Sequence, residues 1–289
     1  MNPKICIVGS ANIDQISYVD TIPSDGETVF GDSYQMGFGG KGANQAVMAG
    51  LLGADVYMIA CLGTDVYNKM TVDNLNNNNV NTDFIQTVNG SSGVAPIWVD
   101  KTGQNRIIVI PGANNLIDAD IAIDSLSNIG PLDVVVGQFE IPLEVNEKVF
   151  EYARNIGVQT VLNPAPAGDV SEKLLNNTSW FIPNEVEFEE MLGEPFNENA
   201  LLKHSKEAKP EIIVTLGEKG CAEVSDGKVY IHQAKKVTAI DTTGAGDAFV
   251  GSFSYGLASK MSKQDSIQLA LEKATNSVTK KGTQSSYKD

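Results

Sequence analysis

The stretch ANQAVMAGLLGADVYMIACLG, residues 43–63, decides the fold. Its first half, ANQAVMAGLLG (43–53), reads as a helix, and its second, DVYMIACLG (55–63), as a buried strand. A strand that is apolar nearly throughout has no solvent face and belongs in a parallel sheet covered on both sides. KICIVGSA (4–11) is a run of the same kind. LDVVVGQFE (132–140), VQTVLNPAP (158–166), SWFIPNEVE (179–187) and PEIIVTLGEKG (210–220) each read as a buried strand followed by a loop, with helical segments between them. VYNKMTVDNLNNN (66–78) is a helix that frays into the asparagine run 76–79, since asparagine tolerates a left-handed turn. This alternation predicts an α/β fold, a doubly wound, mostly parallel sheet flanked by helices. Open sheets of this kind bind ligands at the carboxyl ends of their strands.

Two segments depart from the alternation. Residues 15–37 and 93–112 contain strands with no helix between them, and KTGQ (101–104) suits a hairpin turn. They predict a small β-sheet lid inserted into a single domain spanning 1–289. A sheet of two or three strands is too small to stand without packing. A second lid, in an isologous contact, would supply it, so a homodimer through the lid strands is expected.

Composition excludes several classes of partner. The chain has 289 residues and a formal net charge of −15, which argues against nucleic acid and anionic membrane surfaces. No stretch approaches the ~18 apolar residues of a membrane span, and the first residues lack a secretory apolar region. Cys6, Cys61 and Cys221 are odd in number, lie in apolar runs and match no zinc spacing. Buried thiols in a reducing, cytoplasmic setting are the expectation. His204 and His232 have polar neighbours and are expected to face solvent.

The chemistry-bearing residues sit at predicted strand ends. DTTGAGD (241–247) precedes an apolar helical run, AFVGSFSYGLAS. Its glycines admit close approach to the backbone, and a helix start leaves N–H groups that attract anions. The stretch is either a cradle of donors with Asp247 at its lip or a plain turn capped by Thr242 or Thr243. In GFGGKGANQA (37–46), Gly37, Gly39 and Gly42 match G-x-G-x-x-G, but a hairpin separates them from the first strand, where a dinucleotide fingerprint would follow directly. What remains is a glycine loop opening a helix, with Lys41 and Asn44 beside it. Asn12 and Asp14 either grip a diol or form an Asx-turn. Asn184 and Glu187 of PNEVE either serve phosphate and hydrated Mg²⁺ or start a helix. TLGEKG offers Thr215 and the Gly217 backbone to a phosphate, or makes a tight turn.

GGKGANQA, NPAPA (163–167), NEVE, TLGEKG and DTTGAGD occur in an order and spacing that resemble the PfkB (ribokinase-like) sugar kinases. The resemblance covers nearly the whole chain, and GGKGANQA and NPAPA resemble its ribokinase branch. It implies an ATP-dependent kinase acting on the 5-hydroxyl of D-ribose. Asp247 would be the catalytic base, kept ionised by the helix start, with Gly244, Ala245 and Gly246 as the anion hole. Asn12, Asp14, Gly40, Lys41, Gly42, Ala43, Asn44 and Glu140, with Asp247, would hold the sugar. Asn184, Thr215, Leu216, Gly217, Glu218, Lys219, Gly220 and Gly246 would hold ATP, with Glu187 near Mg²⁺. A K⁺ site is implied at Asp241, Thr243, Ser277, Lys280, Gly282 and Ser286, mostly through backbone carbonyls. Asp241 otherwise caps a turn or pairs with Lys280 or Lys281. The chain departs from the family in a shortened C-terminal helix and in Leu271, Glu272 and Lys273, where small residues are usual near adenine. The alternatives are the same chemistry on deoxyribose, a ketose or a nucleoside, an NAD-dependent oxidoreductase, or a silent sugar-binding regulator. The polar set Asn12, Asp14 and Lys41 favours a free sugar over a nucleoside.

Overall fold

A computed structural model describes residues 2–288. The chain opens with β1 (Lys4–Val8) and crosses into β2 (Asn12–Val19) and β3 (Ser33–Gly39). It then forms α1 (Lys41–Leu51), β4 (Asp55–Leu62), α2 (Val66–Asn77), β5 (Val80–Asn81) and β6 (Ile85–Thr87). β7 (Gly93–Asp100) and β8 (Asn105–Ile107) follow, then α3 (Ala119–Ile129), β9 (Val134–Gln138), α4 (Leu143–Asn155) and β10 (Gln159–Asn163). α5 (Glu172–Asn176), β11 (Trp180–Phe181), α6 (Glu185–Leu192), α7 (Glu198–Glu207), β12 (Glu211–Thr215), β13 (Cys221–Ser225) and β14 (Lys228–His232) come next. α8 (Ala245–Ala258) and α9 (Lys263–Ser277) complete the order.

The central sheet runs β14-β13-β12-β11-β10-β9-β1-β4-β5, with β6 also beside β4. The strands from β12 to β5 pair in parallel, and β13 and β14 add an antiparallel edge. β1 shows why its run is apolar. Ile5 and Ile7 join the core under α1, α8 and α9, while Cys6 and Val8 join the core under α3 and α4. Alternate residues face opposite layers, and both layers are dry. All three thiols are buried, and burial pushes each of them up.

Local chemistry sets the helix ends. Asp65 caps α2 by accepting from the N–H groups of Tyr67 and Asn68. The asparagine run closes that helix with Asn79 in the left-handed region, at φ 62°. α1 begins at Lys41, two residues before the sequence pattern places it. Gly40 precedes it at φ 86°, where a Cβ would lie 2.7 Å from the Ala11 Cα. The histidines do not face solvent as expected. His204 Nε2 lies 2.7 Å from Glu194 and its ring packs edge-on against Phe188. His232 Nε2 lies 3.4 Å from Glu223. Each half-buried ring meets a carboxylate, which Glu194 shares with Lys203 and Glu223 with Ser225 and Lys263, and sequence neighbours do not reveal these partners.

A second sheet of four strands, β3-β2-β7-β8, stands apart from the first. It starts at Asn12, earlier than the sequence pattern indicates, because β2 leaves the end of β1 after three residues. Gly103 closes the β7–β8 hairpin by donating to the Asp100 carbonyl. Tyr34, Trp98, Ile107, Ile108 and Ile110 are exposed on this small sheet and the segment after it. Gly37 and Gly39 lie in β3, so the apparent dinucleotide fingerprint is a strand of this small sheet and not a turn after β1. Among the described residues no helix is long and apolar enough to cross a membrane.

Candidate active site

The carboxyl ends of β1, β9, β10, β11 and β12 open on one side of the sheet, and α8 begins there. Asp247 lies in the first turn of α8 and is 6% exposed. Gly244 caps that helix with no side-chain hydrogen bond, so neither Thr242 nor Thr243 caps it. Ala245 N–H donates to Thr242, and the first α-helical bond runs from Ala248 to Gly244. The amides of Gly244, Gly246 and Asp247 find no backbone acceptor among the described residues.

The two glycines differ in what they permit. Gly244 sits at φ +75°, and a Cβ there would lie 2.4 Å from Thr283 Cγ2 and 2.7 Å from the Tyr287 hydroxyl. Tyr287 also donates to the Gly244 carbonyl at 2.7 Å. A Cβ on Gly246 would meet nothing within 4 Å. Gly244 is glycine for its backbone, and Gly246 leaves open the space in front of the donors.

Four charged groups from distant parts of the chain gather around Asp247. Asn44 Nδ2 donates to its Oδ2 (2.9 Å) and Gln45 Nε2 to its Oδ1 (3.1 Å). Burial raises the Asp247 pKa, and Lys41, Asn44 and Gln45 only partly counter it. Burial is the largest influence on this carboxyl. Lys41 shows the reverse balance. Burial works to lower its pKa, but Asp247, Glu140 and Glu187 together raise it. Asp14 is raised to about 6 by burial and then by the charges of Glu140 and Asp247. Asp14 sits against Gly39, where a Cβ would lie 2.4 Å from its carboxylate. Glu140 accepts from the Ser10 hydroxyl (2.5 Å) and the Lys41 amide (3.0 Å), tying β9 to the start of α1. Asn12 accepts from Asn114 Nδ2 at 2.7 Å. Gly42 and Ala43 are buried in the first turn of α1, where Ala43 N–H donates to the Ser10 carbonyl.

On the other side of Asp247 a cleft of about 1010 Å³ opens. Its lining includes Lys41, Asn184, Glu187, Thr215, Gly217, Glu218, Lys219, Gly220, Gly244, Ala245 and Gly246. Leu216 is buried behind it. Asn184 and Glu187 form a capping box that starts α6, with Asn184 N–H donating to Glu187 Oε2 at 2.8 Å. The helix-start reading of PNEVE is thus realised, and Glu187 still lines the cleft. Glu187 Oε1 has no hydrogen-bond donor among the described residues, so this carboxylate suits a hydrated divalent cation that takes few protein oxygens. Leu271 lines the cleft with Ala274, Thr275 and Val278, whereas Glu272 and Lys273 do not.

Asp241 ties the loop before α8 to the C-terminal segment. Its Oδ1 accepts from Thr243 N–H and its Oδ2 from Gly282 N–H, both at 2.9 Å. Burial works to raise its pKa, but the bonds from Thr243 and Gly282 hold it below the usual carboxylate range. Each oxygen keeps a free lone pair, so a charged acceptor between two loops suits a monovalent cation. The Ser277 and Ser286 hydroxyls donate to Ala274 and Thr283 carbonyls, and their oxygens keep lone pairs for such a site. Lys280 donates to the Lys288 carbonyl and not to Asp241. The sequence analysis did not single out Gln45, Asn114, Gln138 or Gln284 as site residues. Gln45 lay within a quoted motif, but nothing in the pattern tied the other three to Asp247.

The pfkB family carbohydrate kinase profile matches residues 2–289. A deoxyribokinase of Salmonella typhimurium is 35% identical, over 98% of this chain and 95% of its own length. A ribokinase of Haemophilus influenzae is 38% identical, over 99% and 95%. The structure of Arabidopsis thaliana ribokinase complexed with ribose and ATP superposes with a TM-score of 0.90 at 29% identity, covering 99% of this chain and 96% of that one.

The glycine contrast predicts opposite outcomes in chemical denaturation. Gly244→Ala loses at least about 1 kcal/mol, through positive φ and the clash with Thr283. Gly246→Ala stays within about 0.5 kcal/mol of the parent, as a substitution into open space should. Equal losses in the two variants would show that Gly246 is also held by its backbone.

Proposed function

The chain belongs to the pfkB family of carbohydrate kinases, and on that premise we propose that it transfers the γ-phosphoryl group of ATP to the 5-hydroxyl of D-ribose. The observation that carries the reading is the position of Asp247. Its buried carboxylate separates a cleft large enough for a nucleotide from the polar cluster of Asn12, Asp14, Asn44 and Glu140. The likeness to ribokinases and to a ribokinase structure described as complexed with ribose and ATP supports the same assignment.

In this reading Asp14 and Asn12 accept from the ring hydroxyls of the sugar, and Asn12 is aimed by Asn114. Asp247 accepts the proton of the 5-hydroxyl as its oxygen attacks the γ-phosphorus. Its raised pKa makes it a stronger base than an exposed aspartate. The amides of Gly244, Gly246 and Asp247 face the transferred phosphoryl group, where charge stabilisation contributes most, whereas the Ala245 amide that the resemblance adds to the anion hole donates to the Thr242 carbonyl. Lys41, kept protonated by three carboxylates, offsets the charge between sugar and phosphate. Asn184 and the Thr215–Gly220 turn hold the phosphates, and Leu271, Ala274 and Val278 give adenine an apolar wall. Glu187 holds the hydration shell of Mg²⁺, which supplies neutralisation of phosphate charge when bound. Asp241 and neighbouring carbonyls hold K⁺, which stiffens the loop that carries Gly244. The exposed apolar face of the lid packs on its counterpart in a homodimer, and the enzyme works in the cytoplasm.

Release of ADP across a panel of pentoses, hexoses and nucleosides tests the reading, with D-ribose expected as the best acceptor. Deoxyribose ahead of ribose would move the assignment to deoxyribokinase, and no ADP release with any acceptor would end it. Asp247→Asn should keep the fold and sugar binding but lose about 100-fold or more in turnover. Near-parental turnover in that variant would remove Asp247 from the mechanism.

The Asp14 shift sets a pH dependence. The free enzyme holds this carboxyl protonated below about pH 6, where it loses the charge that strengthens its hydrogen bonds from hydroxyls. kcat/KM for the sugar should therefore fall as pH drops through that value, and Asp14→Asn should flatten that limb while lowering the plateau. Persistence of the limb in the variant would assign it to another group. At constant ionic strength, K⁺ should support higher turnover than Na⁺ or tetramethylammonium, and Asp241→Ala should abolish the difference. Sedimentation should give a dimer at micromolar concentration, and a fully active monomer would remove the lid contact.

A further inference from the structure

Two chains of side-chain amides converge on the Asp247 carboxylate, and their links donate toward it. In the first, Asn78 Nδ2 donates to Asn74 Oδ1 (3.2 Å), and Asn74 Nδ2 to Gln284 Oε1 (2.7 Å). Gln284 Nε2 then donates to Asn44 Oδ1 (2.9 Å), and Asn44 Nδ2 to Asp247 Oδ2 (2.9 Å). In the second, Gln138 Nε2 donates to Gln45 Oε1 (2.7 Å), and Gln45 Nε2 to Asp247 Oδ1 and Asn163 Oδ1 (both 3.1 Å).

The direction follows from the acceptor at the centre. An ionised carboxylate only accepts, so Asn44 and Gln45 must turn their nitrogen ends to it. Each then presents an oxygen outward, which a neighbouring amide satisfies only with its nitrogen. The same choice passes from Asn44 to Gln284 and on to Asn74. The outer end is pinned separately, because Asn78 Nδ2 also donates to the Asn74 backbone carbonyl at 2.7 Å. Both chains finish in an amide oxygen buried without a partner among the described residues, Asn78 Oδ1 and Gln138 Oε1. A buried unpaired acceptor is destabilising. Its appearance at the outer end of each chain shows that the donors are ordered from the carboxylate outward.

We propose that Asn74 of α2 and Gln284 of the C-terminal turn are positioning residues for phosphoryl transfer, holding the Asn44 amide in the orientation that gives one N–H to the base and leaves the other for the sugar. This rests on the reading of Asp247 as base and Asn44 as a sugar ligand. Neither Asn74 nor Gln284 lines the cleft. They act through the polarity of the chain, which hydrogen bonds in series reinforce.

Polarity and packing are separated by comparing Asn74→Asp with Asn74→Leu. The new carboxylate at position 74 can only accept, so Gln284 must turn its nitrogen outward and its oxygen toward Asn44. Asn44 then turns its own oxygen onto Asp247. Leucine removes the link without reversing it. Asn74→Asp is expected to lower kcat by about tenfold or more, because the base and its ligand are misoriented. It should also raise the sugar KM by about fivefold, with the ATP KM unchanged within about twofold. Asn74→Leu should lower kcat by less than about threefold. Thermal melts confirm folding, and if either variant is unfolded, Gln284→Glu against Gln284→Met makes the same comparison one link nearer the base. Equal kcat values in the reversing and removing variants would overturn the proposal. Absence of turnover by the parent protein on every acceptor would instead overturn the kinase reading itself.

Discussion

The rest of the site depends on keeping one carboxylate charged inside the protein. Asp247 is nearly sealed from water, and an ion at that depth is destabilising unless paired and hydrogen-bonded. The chain meets this requirement with groups from opposite ends of the sequence. Lys41, Asn44 and Gln45 come from α1, and the open amides come from α8 itself. α1 and α8 must therefore lie close together. Gly251, one turn beyond Asp247, makes this possible, since a Cβ there would lie 2.6 Å from the Gln45 carbonyl. The tight helix crossing and the charged site are one construction.

The same crowding sets a conflict between stability and function. Asp14, Glu140 and Asp247 repel one another, and Lys41 is the cation that faces them. Asp14 has a folded-state pKa raised to about 6, above its unfolded value. A raised carboxyl contributes stability that is fully present below the unfolded pKa and is lost as pH rises through the folded one. Near neutral pH the empty site therefore carries an ionised Asp14 that weakens the fold. A ligand that donates hydrogen bonds to that carboxylate would relieve the strain on binding. Proteins retain such unfavourable charges where a ligand completes them.

Much of this was legible in the sequence. The apolar runs gave the parallel sheet, because strands buried on both faces leave no other reading. The hairpin signals gave the second sheet, although its first strand starts at Asn12, where Gly9 and Ser10 mark the break after β1 but not the change of sheet. The glycine motifs marked Gly244 and Gly246, but only the packing separates their roles. Gly244 is constrained by Thr283 and Tyr287, which lie about forty residues further along the chain. The amides Asn74, Asn114, Gln138 and Gln284 carry no charge, belong to no motif and sit far from Asp247 in sequence. Their function lies in mutual orientation, which a one-dimensional pattern does not encode. The helix start at Asp247 is visible in sequence, whereas the burial that raises its pKa is not.

The departure at Leu271, Glu272 and Lys273 resolves through helical geometry. On α9 and its capping residue Val278, residues 271, 274, 275 and 278 fall on one face at i, i+3, i+4 and i+7. Those four line the cleft. Glu272 and Lys273 fall outside that set, so their charges do not enter the proposed adenine end. Leu271 does enter it, and a branched apolar side chain offers a flat heterocycle more contact than a small residue would, at the expense of room. Irregular chain from Gln233 to Val237 also lines the cleft, outside any helix or strand. The charged positions of the departure thus stay outside the cleft and only Leu271 bears on it, while the turn 217–220 on the same cleft is set by the end of β12.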